Sequence, residues 1–344
     1  MNKIIITHLN FAKGFRGGER QTQLLIEQLS KEGYTQKLLV RKNSELGQRC
    51  KDIQNLHIVE VPKPYIFHIS DIKNSSLIHA HETKALQFAY FASLLTNIPY
   101  IVTRRVDNPI KNNFFNKLLY KKAKKVVALS HAIVKEVNNI CPIADITIIP
   151  SAFTESSINE NKIKIIQERF KDKFLIGHIG ALDDKHKGQS FLIEAAKSLQ
   201  KTHPNIHFIL LGRGKDEVML KELTAGLSNI TFEGFVNNVN DYIACLDLFV
   251  FPSRNEGLGS ILFDVMQGEV PIIASNVGGI PDIIQHNENG YLIPPCNAEI
   301  ICRSILYLYQ EKSTRKKFVD NAKKTILKFS PDKMMKRYLT QGYS

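Results

Sequence analysis

Short apolar runs alternate with longer amphipathic stretches almost from end to end of the chain. Runs rich in β-branched and aromatic residues predict strands at 4–8, 37–40, 57–61, 77–79, 100–103, 126–129 and 147–149. Helical spacing at 18–31, 83–96, 111–122 and 131–138 fills intervals between them. After Pro150 the alternation restarts, with strands at 174–179, 207–211, 229–232, 248–251, 271–274 and 291–293. The chain closes on helical pattern alone, at 298–309, 313–327 and 331–341. Such alternation predicts parallel sheets wound by right-handed crossovers. Two series separated by the polar stretch 154–173 predict two Rossmann-like α/β domains, not one very wide sheet. The boundaries expected are 1–153, 154–328 and a terminal helical segment 329–344.

Composition narrows the class. An apolar fraction of 43% and a charged fraction of 23% are those of a soluble globular protein, and 344 residues suffice for two ordinary domains. No apolar run nears the ~18 residues that span a bilayer, and the first residues read as a strand rather than a secretory leader. The five cysteines are scattered without a CxxC pair, which points to reduced thiols in the cytoplasm and away from a zinc site.

The charge is uneven. Of the net +13, residues 1–150 carry 22 basic against 11 acidic groups, or +11; residues 151–344 carry 24 against 22, or +2. Lys111, Lys117, Lys121, Lys122, Lys124 and Lys125 form a cluster within the basic half, interleaved with Phe114, Phe115, Leu118, Leu119 and Tyr120. This pattern suits a helix at an anionic membrane surface, and equally a solvated face with its apolar side in the core. No recognition motif accompanies the charge, so nucleic acid is not an expected partner.

Chemistry concentrates at strand-to-helix turns, where backbone amides face a ligand. Gly14-Phe-Arg-Gly17-Gly18-Glu19 follows the first strand, and glycine lets the backbone approach an anion closely. Gly180-Ala181-Leu-Asp-Asp-Lys185-His-Lys187-Gly188 follows the first strand of the second series, with lysines placed to neutralise a leaving diphosphate. Phe251-Pro-Ser-Arg-Asn-Glu256-Gly257-Leu258-Gly259-Ser-Ile-Leu-Phe-Asp264 runs from a strand into a predicted helix at 260–267. Its two acids lie eight positions apart, about two helical turns. His79-Ala-His81 ends a strand of the first series; Arg104 and Arg105 end the next, able to clamp a phosphorylated or carboxylated acceptor, with Asp107 to orient one of them.

The block from Phe251 to Asp264, with Gly278-Gly279-Ile-Pro-Asp282, resembles the nucleotide-sugar site of retaining GT4 glycosyltransferases and their Glu-x7-Glu signature. Both second acids are Asp here, as in a divergent branch. The resemblance extends over nearly the whole chain. It implies a GT-B architecture, two Rossmann-like domains facing a cleft, with the last helix crossing back to the first domain. It implies transfer of a sugar from a UDP- or GDP-linked donor to a glycan or glycolipid hydroxyl with retention, without a metal or other cofactor. Lys185-His-Lys187-Gly188 fits the basic-x-Lys-Gly form of lipopolysaccharide-core members, Ala181 replacing the usual Arg.

Carried over position by position, the resemblance gives Glu256, His81 and Lys187 catalytic roles. Donor-binding positions are Gly17, Gly18, Lys185, Lys187, Gly212, Phe235, Val236, Glu256, Gly257, Leu258, Gly259 and Asp264. Asp264 would meet the ribose, and Phe235 and Val236 the base edge. His81, Arg104 and Arg105 would meet the acceptor. Bacterial surface-glycan or lipopolysaccharide synthesis, at the inner face of a membrane, is the setting implied. A nonhydrolysing nucleotide-sugar epimerase and a non-catalytic nucleotide-sugar binding partner would share the architecture.

Overall fold

A computed structural model describes residues 4–154 and 157–344; positions 155 and 156 of the polar stretch lie outside the described residues. The chain divides into two compact units, Met1–Ala152 with Phe329–Ser344, and Phe153–Lys328.

The first unit holds strands β1 (Ile5–Asn10), β2 (Thr35–Arg41), β3 (Leu56–Val61), β4 (Leu77–Ala80), β5 (Tyr100–Arg104), β6 (Lys125–Ala128) and β7 (Ile146–Ile148). They form a parallel sheet in the order β3-β2-β1-β4-β5-β6-β7. The strand order reverses between β1 and β4, the place where ligands bind at the carboxyl ends of such sheets. Leu9, Ile78 and Val102 are fully or almost fully buried, because helices cover both faces of the sheet. The tail helix Pro331–Arg337 continues into a wide turn, Tyr338–Gly342, and its Met334, Met335 and Tyr338 pack with Leu25, Leu29 and Val127.

The second unit repeats the plan with β8 (Phe174–Ile179), β9 (Ile206–Leu211), β10 (Ile230–Gly234), β11 (Leu248–Phe251), β12 (Ile272–Ser275) and β13 (Tyr291–Ile293). Their order is β10-β9-β8-β11-β12-β13, again parallel, with the reversal between β8 and β11. Ile176, Phe208, Leu248, Val250 and Ile273 join Leu192, Ile305 and Phe318 in its core.

Two local expectations are corrected and a third is met. The polar stretch 154–173 contains a helix, Glu160–Arg169, started by the Asn159 side chain accepting from the amides of Asn161 and Lys162. Ile166 is its one buried residue, so it carries too narrow an apolar stripe to register as periodicity. The helix expected at 111–122 begins at Phe114, because Asn113 caps it by accepting from the amide of Asn116. Its apolar side is largely core: Leu119 and Tyr120 are buried and Phe115 and Leu118 pack against them, leaving Phe114 80% exposed. The helix expected at 260–267 is found at Ile261–Gln267 after Gly259, at φ +83°, with Glu256 in the turn before it and Asp264 inside it.

Candidate active site

The second unit builds a charged pair at its switch point. The segment after β8 folds into one short helical turn, Asp184–Lys187, closed by Gly188 at φ +64°. A Cβ at Gly188 would lie 2.3 Å from the Pro252 carbonyl oxygen, so a glycine lets this turn press against the loop after β11. The Arg254 and Asn255 amides donate to the His186 carbonyl at 2.8 and 3.2 Å, binding the two loops together. Arg254 also reaches Asp184 at 2.8 Å and stacks 4.5 Å above the Phe191 ring. These contacts bring Lys187 and Glu256, 69 positions apart, into a short ion pair. The Lys187 ammonium sits 5.0 Å from the Phe251 ring centre, and the two paired side chains are 21% and 16% exposed. A cation held this way can exchange its carboxylate for an incoming anion.

Other expected positions lie on neighbouring segments of the same unit. Lys185 is exposed on the same turn. Gly257, Leu258 and Gly259 are buried between Glu256 and the following helix, and Asp264 lies in that helix's first turn. The Glu256 carbonyl accepts from the Gly279 amide at 2.9 Å, tying the Gly278–Gly279 turn to the same loop. Gly212, at φ +139°, donates its amide to the Gly234 carbonyl at 2.7 Å; a Cβ there would lie 1.9 Å from the Gly180 oxygen. Phe235, 69% exposed, and Val236 follow Gly234. His178 was not singled out from sequence. Its Nδ1 donates to the Val250 carbonyl at 3.1 Å, and burial pushes its pKa down to about 4.

In the first unit, parallel pairing sets His8 opposite His79, and the two-residue period puts His81 on the same face as His79. All three rings are buried. His8 Nδ1 meets His81 Nε2 at 3.0 Å, and His8 Nε2 meets Gln36 Oε1 at 3.1 Å. His79 contacts Thr103 at 2.7 Å and the Tyr343 hydroxyl at 3.1 Å; Arg105 Nη2 reaches His81 Nδ1 at 3.4 Å. Burial pushes His8 down to about 4 and both other rings well below their ordinary value, the neighbouring rings and Arg105 adding to it. One donor atom from each ring lies within 4.8 Å of the others, a spacing a metal could use. Every ring nitrogen already has a hydrogen-bond partner, however, and the guanidinium of Arg105 adjoins, so a divalent ion would have to break the set.

Gly17 opens the helix Gly17–Lys31, and a Cβ on Gly18 would lie 3.3 Å from Arg105 Cδ. Arg104 turns away, binding the Asn108 carbonyl and, at 3.3 Å, the Tyr120 hydroxyl. Gln36, His8, Tyr338 and Tyr343 were not singled out from sequence, because strand register and the return of the tail decide that they meet His79 and His81.

Comparison with known proteins identifies the fold and the family. The fold is that of HepE from Anabaena, solved with UDP, at a TM-score of 0.87 and 17% identity, covering 99% of this chain and 100% of that one. The architecture is therefore GT-B, two Rossmann-like parallel-sheet units. The family model described as Glycosyl transferases group 1 matches residues 159–325. An uncharacterized glycosyltransferase of Methanocaldococcus jannaschii is 30% identical over 283 residues, 80% of this chain and 69% of that protein. The capsular polysaccharide biosynthesis glycosyltransferase CapM of Staphylococcus aureus is 26% identical over 180 residues, 51% of this chain and 47% of its own. The chain belongs to the group 1 glycosyltransferases. It spans about half the length of the first curated relatives it matches, 46% and 59%.

Proposed function

We propose that this protein moves a sugar from a nucleoside-diphosphate donor, UDP- or GDP-linked, to a hydroxyl of a glycan or glycolipid, with retention at the anomeric carbon. The observation that carries the reading is the Lys187–Glu256 pair at the β8/β11 switch point, within loops shaped by Gly188 and Gly212. The donor binds the second unit. Phe235 and Val236 meet the base through their backbone, Asp264 meets the ribose, and Gly257, Leu258 and Gly259 offer amides to the sugar or phosphate. Lys187 leaves Glu256 for the diphosphate, Lys185 adds a second positive charge, and Glu256 is freed to accept hydrogen bonds from sugar hydroxyls.

The bond from the anomeric carbon to the phosphate oxygen breaks as the bond to the acceptor oxygen forms. The leaving phosphate takes the acceptor's proton, so neither a carboxylate base nor a metal is required, and the lysines stabilise the charge that develops. Arg105 belongs to the acceptor side, and Gly17 and Gly18, the glycines expected to meet the donor, lie in the first unit beside it. CapM's name supports synthesis of a bacterial surface polysaccharide as the setting, with lipopolysaccharide core one form of it.

A membrane-linked acceptor accords with the surface of the first unit. Phe67, Leu95 and Phe114 are 78%, 73% and 80% exposed. A groove of about 640 Å³ is lined by Pro64, Tyr65, Ile66, Phe88 and Phe91, with Lys63 and Lys84 at its rim. No helix among the described residues is long and apolar enough to cross a membrane, so contact would be peripheral.

The test is nucleoside-diphosphate release from a panel of UDP- and GDP-sugars, with and without a membrane extract as acceptor and with and without EDTA. Acceptor-stimulated release that survives EDTA supports the proposal. Donor interconversion without release would make the protein an epimerase, and binding without turnover would make it a binding partner.

A further inference from the structure

The buried polar cluster of the first unit exceeds what sugar transfer asks of one histidine. Its hydrogen bonds run in a single direction. Gln36 Nε2 donates to the Ile26 carbonyl at 2.9 Å, which leaves Gln36 Oε1 to accept from His8 Nε2–H. His8 Nδ1 then carries no proton and accepts from His81 Nε2–H. His81 Nδ1 accepts in turn from Arg105 Nη2–H. A proton added to His81 would set one N–H against another at Arg105, so the chain holds together only with both rings neutral.

A second arm braces the first. The rings of His79 and His81 lie 3.8 Å apart between centres. His79 is held by Thr103 and Tyr343, and Thr103 shares a 2.8 Å hydrogen bond with the Tyr338 hydroxyl. The output of both arms is one side chain. Arg105 lies against Gly18, where any Cβ would crowd its Cδ, and its Nε is buried without an acceptor. His81 itself is 3% exposed, with both nitrogens engaged.

We propose that Gln36, His8 and His81 form a neutral positioning relay that orients the Arg105 guanidinium beside the Gly18 turn, so that His81 acts through Arg105 and not on a substrate atom. This rests on the glycosyl-transfer reading for its use, though not for its geometry. Tyr338 and Tyr343 make the tail part of the same device. Loss of any upstream member lets the next ring change tautomer, and Arg105 then faces a donor in place of an acceptor.

Two measurements test it on the intact chain. Two-bond proton–nitrogen spectra of protein labelled at histidine, with His8 and His81 assigned by substitution, read each tautomer at pH 7. Both rings should be neutral with the proton on Nε2, and Gln36→Leu should shift His8 toward the Nδ1–H form. A protonated or Nδ1–H His81 in the unsubstituted protein overturns the relay. The second measurement is a cycle on acceptor-stimulated nucleoside-diphosphate release. Gln36→Leu should lower release by up to about 100-fold, the scale of a small misplacement. The loss should vanish in an Arg105→Ala background, while binding of the donor nucleotide stays intact as proof of folding. Equal losses in both backgrounds overturn the relay. Absence of turnover on every donor would sink the transfer reading alone, and the ring spectra would still decide the relay.

Discussion

Acidification presses directly on the buried histidines. His8 titrates near 4 in the folded protein, against an ordinary value of 6.5, because burial penalises its charged form. A group depressed in this way contributes its full stability above about pH 6.5. It loses that stability as the unfolded chain takes up protons the folded one refuses, levelling off near pH 4. Between pH 7 and pH 5 the loss for His8 alone is about 2 kcal/mol. His79 and His81 are shifted in the same direction by the same burial, so both add to the loss in the first unit. His178, also near 4, gives the second unit an independent loss of about 2 kcal/mol. Urea unfolding at pH 7 and pH 5, followed through histidine ring proton resonances, reports each unit separately. His178→Asn should flatten the pH response of the second unit by about 2 kcal/mol and leave the first unchanged. Folded-state titration of His8 near 6.5, or a first-unit loss below about 1 kcal/mol, would refute the reasoning.

Other outcomes follow from single contacts. Gly212→Ala places a Cβ 1.9 Å from the Gly180 oxygen at a φ of +139°, and should destabilise the second unit by at least about 2 kcal/mol in the same urea assay. Arg254→Ala releases Asp184 and the turn that carries Lys187; turnover should fall more than the ~1 kcal/mol expected of stability for a partly exposed pair. Asp264→Glu should tighten nucleotide binding in calorimetry, whereas looser binding would mean the site is built around the shorter acid. Neutralising Lys111, Lys117 and Lys121 with Phe67→Ser and Phe114→Ser should abolish sedimentation with anionic liposomes. Lys124 and Lys125 are poor targets for that test, since they bind the Tyr343 carbonyl and Asp145.

Much of the architecture was legible because parallel strands buried on both faces write themselves as near-continuous apolar runs, and the sheets follow from such runs at Phe174–Ile179 and Leu248–Phe251. The glycine turns that bring Lys187 to Glu256 were also visible, since residues such as Gly188 and Gly212 mark backbone that other residues resist. The histidine cluster was only half visible. His81 stood out at a strand end, but its partners depend on register between β1 and β4 and on where Tyr343 returns, neither of which local pattern encodes. The lysine cluster stayed ambiguous in sequence for a related reason: that Lys125 pairs with Asp145, and that Phe115, Leu118, Leu119 and Tyr120 turn inward, depends on tertiary packing. Helix Glu160–Arg169 was hidden by a polar surface with little apolar stripe.

The most direct test of the account is calorimetric titration of the intact protein and of Lys187→Ala with UDP, GDP, ADP and CMP. The account predicts that UDP or GDP binds the intact protein and that Lys187→Ala weakens it about tenfold or more, a loss of at least ~1.4 kcal/mol. Equal binding by the two proteins, or no binding of any nucleoside diphosphate, would contradict the assignment of a donor site to Lys187 and Glu256.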